Sequence, residues 1–172
     1  TVLSRGLGDV YKRQNKHFCF GPGHRLLAPQ SGAMGYGLPA AIAAALAFPN
    51  LQVVCFAGDG DLQMGLAELG TAVQHGANLI ILVLNNGAYG TIRMHQERKY
   101  PSRVSGTNLH NPDFAAVAEA FGMKGFCVRK TEDFPEAFEE ASKSKIGALL
   151  DLMVSVEAIT PRKTITDLRS GG

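Results

Sequence analysis

The chain has 172 residues, enough for one domain with a buried core. Its 45% hydrophobic and 19% charged residues exclude global disorder. A net charge of +2 without a basic cluster, and 8% aromatic residues without Trp, exclude a nucleic-acid footprint; the longest apolar run, residues 38–48, is too short for a membrane span.

Residues 1–14 (TVLSRGLGDVYKRQ) show neither helical nor strand periodicity. The segment resembles translated sequencing-adapter read-through at the ends of assembled environmental genes. It is expected to be a dispensable leader foreign to the domain, which then occupies residues 15–172. No signal-peptide pattern opens the chain.

Residues 26–58 contain no Asp, Glu, Lys or Arg, and within them 38–48 (LPAAIAAALAF) read as a helix that is apolar all round. Such a helix must be buried on every side, so another domain or subunit is expected to cover it. Residues 52–57 (QVVCFA) read as a strand, 62–75 as a helix stopped by Gly76 at C′, and 79–84 (LIILVL) as a second strand. A helix over 89–99 and a polar loop over 100–110 follow. Asn111 is the expected N-cap of the next helix, with Pro112 at its first position and Gly122 at its end. A strand over 125–129, a helix over 132–143 capped by Thr131, and a strand over 148–154 complete the pattern. This alternation predicts an α/β fold, a parallel β-sheet with helices on both faces. Cys19, Cys55 and Cys127 have no metal-binding spacing, and Cys55 and Cys127 read as small buried hydrophobes. They fit a reducing, cytoplasmic setting.

The chemistry-bearing motif is Gly58-Asp59-Gly60-Asp61, directly after the strand at 52–57. In doubly wound sheets, ligands sit beyond the carboxyl ends of strands. A carboxylate emerging there is costly unless paired or bound to a metal. The glycines allow close backbone approach. A Rossmann fingerprint fails, because Gln63 stands where the third glycine belongs, and no P-loop GK[ST] is present. Alone, GDG is equally a plain Asp-Gly turn. Asn85-Asn86-Gly87-Ala88 ends the next strand, so Asp59 and Asn86 fall at the same sheet edge. Oxygen donors of this kind suit Mg²⁺ whose shell is completed by a phosphate-bearing ligand.

GDG, 24 residues, then NN resembles the signature of thiamine-diphosphate (ThDP) enzymes. With SGAMGYGLPAAIAA at 31–44, GDGDLQM at 58–64 and LNNGAYGTIR at 84–93, the chain is similar to their C-terminal diphosphate-binding domain. The group is that of acetolactate synthase and benzoylformate decarboxylase, and the similarity runs over about residues 30–162. The resemblance implies that Asp59, Asn86 and the Ala88 carbonyl hold Mg²⁺. It places Gly60 and Asp61 against the diphosphate, with Gly58, Tyr89 and Gly90 also among the cofactor-binding residues. Gly32 and Ala33 fall beside the aminopyrimidine, with Gly32 accepting a hydrogen bond from its amino group. Met34 becomes the apolar wedge that bends the cofactor; without its flanking glycines it would read as a core gap-filler.

The resemblance further implies a 2-oxo acid substrate, with decarboxylase or carboligase chemistry. It implies a pyrimidine-binding domain carrying an activating glutamate, absent from this chain, and a second subunit in a homodimer or homotetramer. No catalytic residue is then expected in this chain. Relatives of the pyruvate decarboxylase type carry glutamate where Ile92 stands, and acetolactate synthases carry tryptophan near His95. Ile92 therefore reads as an apolar pocket wall, which suits a benzoylformate-type or CoA-linked 2-oxo acid decarboxylase. His95 is either a pocket residue or an exposed helix residue. A ThDP- or diphosphate-binding module without turnover is the alternative of another class.

Overall fold

The computed structural model of the chain describes residues 1–5 and 18–170. Six strands form one parallel sheet: β1 (Val2–Arg5), β2 (Arg25–Leu27), β3 (Val53–Gly58), β4 (Ile80–Asn85), β5 (Lys124–Val128) and β6 (Ala148–Met153). Their spatial order is β2-β1-β3-β4-β6-β5. The helices are α1 (Gly37–Ala47), α2 (Asp59–Gln63), α3 (Glu68–Gln74), α4 (Gly90–Lys99), α5 (Phe114–Ala120), α6 (Phe134–Ser142) and α7 (Ile165–Ser170).

Side chains alternate across the sheet, so each strand feeds two cores. On one face Val53, Cys55, Ala57, Ile81, Val83 and Leu149 pack with α1, α3 and α5. On the other, Leu3, Val54, Ile80, Leu82 and Leu150 pack with Phe134, Ala137, Phe138 and Ala141 of α6. The continuous apolar runs of β3 and β4 follow from this two-sided burial. No helix among the described residues is long and apolar enough to cross a membrane.

Several local readings need correction. Val2–Arg5 is a strand, paired with both β2 and β3, and Val2 and Leu3 are buried. The pairing uses backbone groups and asks only two side chains to be apolar, too little for a periodicity to reveal. Residues 6–14 of the expected leader lie outside the described residues. The helix expected over 62–75 is split into α2 and α3 by turns through Gly65, whose N–H donates to the Leu62 carbonyl. Gly76 does end α3 at a positive φ of 67°, with the Ala77 amide donating to the Ala72 carbonyl. The cap of α5 is Asp113 rather than Asn111: Asp113 Oδ1 accepts from the Ala116 amide at 3.0 Å. Thr131 opens a short 3₁₀ turn, and no side-chain cap bond forms there or at α6. Cys127 is exposed, because β5 is an edge strand, while Cys55 is buried. Helix α1 buries Leu38, Ala41, Ile42, Ala44 and Ala45 but leaves Leu46 46% exposed, so its outer side is uncovered within this chain.

Candidate functional site

Strands β3 and β4 run side by side, with Gly58 opposite Leu84, and both chains leave the sheet at the same edge. From β3 the chain turns at once into α2. From β4 it passes through residues 86–89 into α4. A cavity of about 300 Å³ opens between these exits. Its walls come from Gly58–Asp61, from residues 86–92, from Gly32 and Met34, and from Val154, Ser155 and Ala158 beyond β6.

Two glycines are required by the backbone here. Gly87 has φ of +66°, where a side chain is strained. A Cβ on Gly60 would lie 2.5 Å from Tyr89 Cε1 and 3.1 Å from Leu109 Cδ1, so Gly60 lets the Tyr89 ring lie against the α2 turn.

Asp59 is 3% exposed and lines the cavity. Its Oδ2 accepts from the Gly87 amide at 2.8 Å and from Asn111 Nδ2 at 2.7 Å. Its Oδ1 accepts no hydrogen bond among the described residues. No Lys, Arg or His among them lies within ion-pair distance of it. Asn86 Oδ1 accepts from the Ala88 amide at 3.0 Å, which rounds the turn after β4. That turn is tied down by Leu109 donating to the Gly87 carbonyl and Tyr89 donating to the Thr107 carbonyl, neither of which uses the Ala88 carbonyl. Asp61 also lines the cavity, and its Oδ1 accepts from the Gly35 amide at 2.7 Å, clamping the loop before α1 to α2.

Behind Asp59 lies a row of side chains with no counterpart in the sequence expectations. Asn111 Nδ2 also donates to Asn85 Oδ1 at 2.8 Å, and Asn85 Nδ2 donates to Asp151 Oδ1 at 3.0 Å. Asn111 Oδ1 accepts from Gln63 Nε2 at 2.5 Å. Burial pushes the Asp151 carboxyl above the ordinary carboxylate range. The Asn85 bond and Arg129 oppose that rise, while Asp113 and Asp59 add to it.

The structure thus gathers most of the expected residues at one cavity: Gly32, Met34, Gly58 to Asp61, Asn86, Ala88, Tyr89, Gly90 and Ile92. Ala33 and His95 are exposed and do not line it. Ile92 lines it and is 51% exposed, on the open side. Leu84, Thr91 and the stretch at Val154, Ser155 and Ala158 line it too. That last stretch follows β6, whose neighbour in the sheet is β4; only the strand order brings it to the cavity. The Asn111 row also escaped sequence reasoning, since Asn111 read as a helix cap.

A buried carboxylate with an open oxygen and no cationic partner among the described residues, at the rim of a glycine-lined cavity, is a hard oxygen donor of the kind that suits a divalent cation. The carbonyl at Ala88 and the amide oxygen at Asn86 add hard donors on the same rim, so the donor set fits Mg²⁺ with a phosphate ligand. The cavity opens at the carboxyl edge of a parallel α/β sheet. Residues 6–152 match the family described as thiamine pyrophosphate enzyme, C-terminal TPP binding domain. The chain belongs to that family.

The chain is 37% identical over 155 residues to the mitochondrial acetolactate synthase catalytic subunit of Saccharomyces cerevisiae, covering 90% of this chain and 23% of that protein. It is 36% identical over 137 residues to acetolactate synthase of Arthrospira platensis, covering 78% of this chain and 24% of that protein. In structure it resembles the thiamine diphosphate-dependent 4-hydroxybenzoylformate decarboxylase of Rhodococcus jostii RHA1. The TM-score is 0.81 at 29% identity, over 90% of this chain and 29% of that one. The chain therefore spans about a quarter of the length of the relatives it matches.

Proposed function

We propose that the chain is the cofactor-holding domain of a ThDP-dependent enzyme, acetolactate synthase-like, that decarboxylates a 2-oxo acid as a lyase or carboligase. The observation that carries this reading is Asp59, held by two donors through one oxygen and open at the other, with no Lys, Arg or His among the described residues in ion-pair distance. Asp59, Asn86 and the Ala88 carbonyl would hold Mg²⁺. The amides of the Gly58–Asp61 turn and of the first turn of α4 would meet the diphosphate. Gly32 and Met34 also line the cavity, and an apolar thioether beside an exposed loop backbone suits the ring end of the cofactor. Bound there, ThDP supplies the thiazolium that takes up the electrons of decarboxylation.

Among the described residues no glutamate lines the cavity. A positioned proton-transfer partner is typically worth about 10²–10⁴-fold. The activating group would come from a pyrimidine-binding domain, and a second subunit would complete a dimer or tetramer. The exposed outer side of α1 and the mouth at Ile92 suit such cover. Ile92 on the open wall also favours a second reading, a benzoylformate-type decarboxylase with an aryl 2-oxo acid. Three unpaired cysteines support a cytoplasmic setting.

Calorimetric titration with ThDP tests the reading. Binding to this chain is expected to be weak and to require Mg²⁺. Asp59→Ala is expected to weaken it by about 30-fold or more, roughly 2 kcal/mol. Equal affinity with EDTA present, or in the variant, would overturn the assignment. With Mg²⁺, ThDP and a panel of 2-oxo acids, the chain alone is expected to release no CO₂ above the cofactor blank.

A further inference from the structure

We propose that Asn111 is a positioning residue for the metal-binding carboxylate, selecting which oxygen of Asp59 faces the cation. The inference rests on the Mg²⁺ reading above and deepens it. Asn111 stands two residues before the α5 cap, on a segment distant in sequence from both metal-bearing turns. Its Nδ2 donates to Asp59 Oδ2 at 2.7 Å and to Asn85 Oδ1 at 2.8 Å. An amide nitrogen has two hydrogens, so both are spent.

The direction of this row is fixed from its ends. Asp59 and Asp151, as carboxylates, only accept. Facing Asp151, Asn85 must present its NH₂, at 3.0 Å, and so turns its carbonyl oxygen toward Asn111. Facing Asp59, Asn111 must present its NH₂, and so turns its oxygen to Gln63 Nε2. Neither amide can be reversed without setting donor against donor or acceptor against acceptor. The row is therefore one-way, from Gln63 and Asn111 to Asp59, and from Asn111 through Asn85 to Asp151.

The consequence falls on Asp59. Two donors, Gly87 N and Asn111 Nδ2, converge on Oδ2 and none on Oδ1. Without Asn111 the carboxylate keeps a single anchor and can rotate about its last torsion. Outer partners of metal ligands typically contribute about 10–100-fold in metal affinity. Asn111 does not line the cavity and reaches the Gly58–Asp61 turn only through the side chains of Asp59 and Gln63, so its effect should fall on the cation before the diphosphate.

The test uses the ¹⁵N-labelled chain with ThDP, and Mn²⁺ in place of Mg²⁺. Paramagnetic broadening of the Gly87 amide reports cation occupancy directly, even at millimolar affinity, without turnover. Asn111→Leu keeps the branched shape, with bulkier methyls in place of oxygen and nitrogen, and removes both donor hydrogens. It is expected to raise the Mn²⁺ midpoint by about tenfold or more. The ThDP midpoint at saturating Mn²⁺ should stay within about twofold of wild type. Asn111→Ala, smaller and free of overpacking, serves if the leucine variant fails to fold. Asn108→Leu, an exposed position nearby, should match wild type. An unchanged Mn²⁺ midpoint in the Asn111 variants overturns the positioning role while leaving the metal site intact. So does equal weakening of cation and ThDP. No broadening of Gly87 in the wild-type chain would instead overturn the metal reading itself.

Discussion

Asp59 and Glu97 are both buried carboxylates, at 3% and 0% exposure, yet their surroundings differ completely. Glu97, on α4, accepts from Arg169 Nη2 at 2.6 Å and Nε at 3.0 Å, and from the Ser102 amide at 2.9 Å. The chain itself neutralises it, and the pair fastens α7 to α4. The Arg169 bond, ahead of the opposing effect of burial, holds the Glu97 carboxyl below its usual range. Asp59 has donors on one oxygen and no ion pair with a Lys, Arg or His among the described residues. A buried charge whose counter-ion the chain supplies is part of the scaffold. One left without a counter-ion at the rim of an open cavity would instead be stabilised by a cation arriving with a ligand.

Arg169→Ala should give the largest effect, because it strands Glu97 without its partner. The melting temperature should fall by several degrees while Mg²⁺-dependent ThDP binding by the folded chain persists. The loss should depend on pH. Glu97 favours its charged form in the fold, so the pair stabilises fully above the ordinary glutamate pKa of about 4.3 and fades as pH falls through the lower folded value. Wild type and variant melts should therefore converge toward pH 3. A gap that persists there would show that α7 is held by packing of Ile159 and Ile165 on Met94 instead.

Gly60→Ala comes next. The added methyl meets the Tyr89 ring and should cost about 1–3 kcal/mol in urea denaturation. It should also weaken ThDP binding, since the displaced ring lines the cavity. Wild-type behaviour in both assays would break the claim that the two exits are packed against each other.

Asp151→Asn sharpens the contrast with a third carboxylate, one with a raised pKa and no ion pair among the described residues. A raised folded pKa means that wild type gains stability as pH falls through the folded value toward about 3.9. The asparagine variant should lose that pH dependence and be as stable as wild type, or slightly more so, at pH 7. A clearly destabilised variant at pH 7 would mean that the ionised carboxylate contributes to the fold through Asn85.

Leu46→Lys should have the smallest effect. Leu46 is exposed on the outer side of α1, and the change should stay within about 0.5 kcal/mol of wild type. Self-association in sedimentation should fall, whereas Glu139→Lys on the charged outer side of α6 should leave it unchanged.

The sequence determined the strands β3 to β6 and most of the residues gathered at the cavity. Apolar runs at β3 and β4 can only be strands buried on both sides, and GDG and NN stand directly at their ends. Chain direction then puts Asp59 and Asn86 at one edge without further information. Helix ends marked by Gly76 and Gly122 were legible for the same local reason, a positive φ. Strand β1 was not legible, because its pairing is made by backbone groups that any four residues possess. The wall at Val154, Ser155 and Ala158 needed the insertion of β6 beside β4. The role of Asn111 needed both a two-residue shift of the helix cap to Asp113 and the convergence of β3, β4 and β6 on one point. Residue types and spacing fix what one segment does alone. Which oxygen of a carboxylate is left free depends on donors brought from elsewhere in the chain, and only the packed sheet decides that.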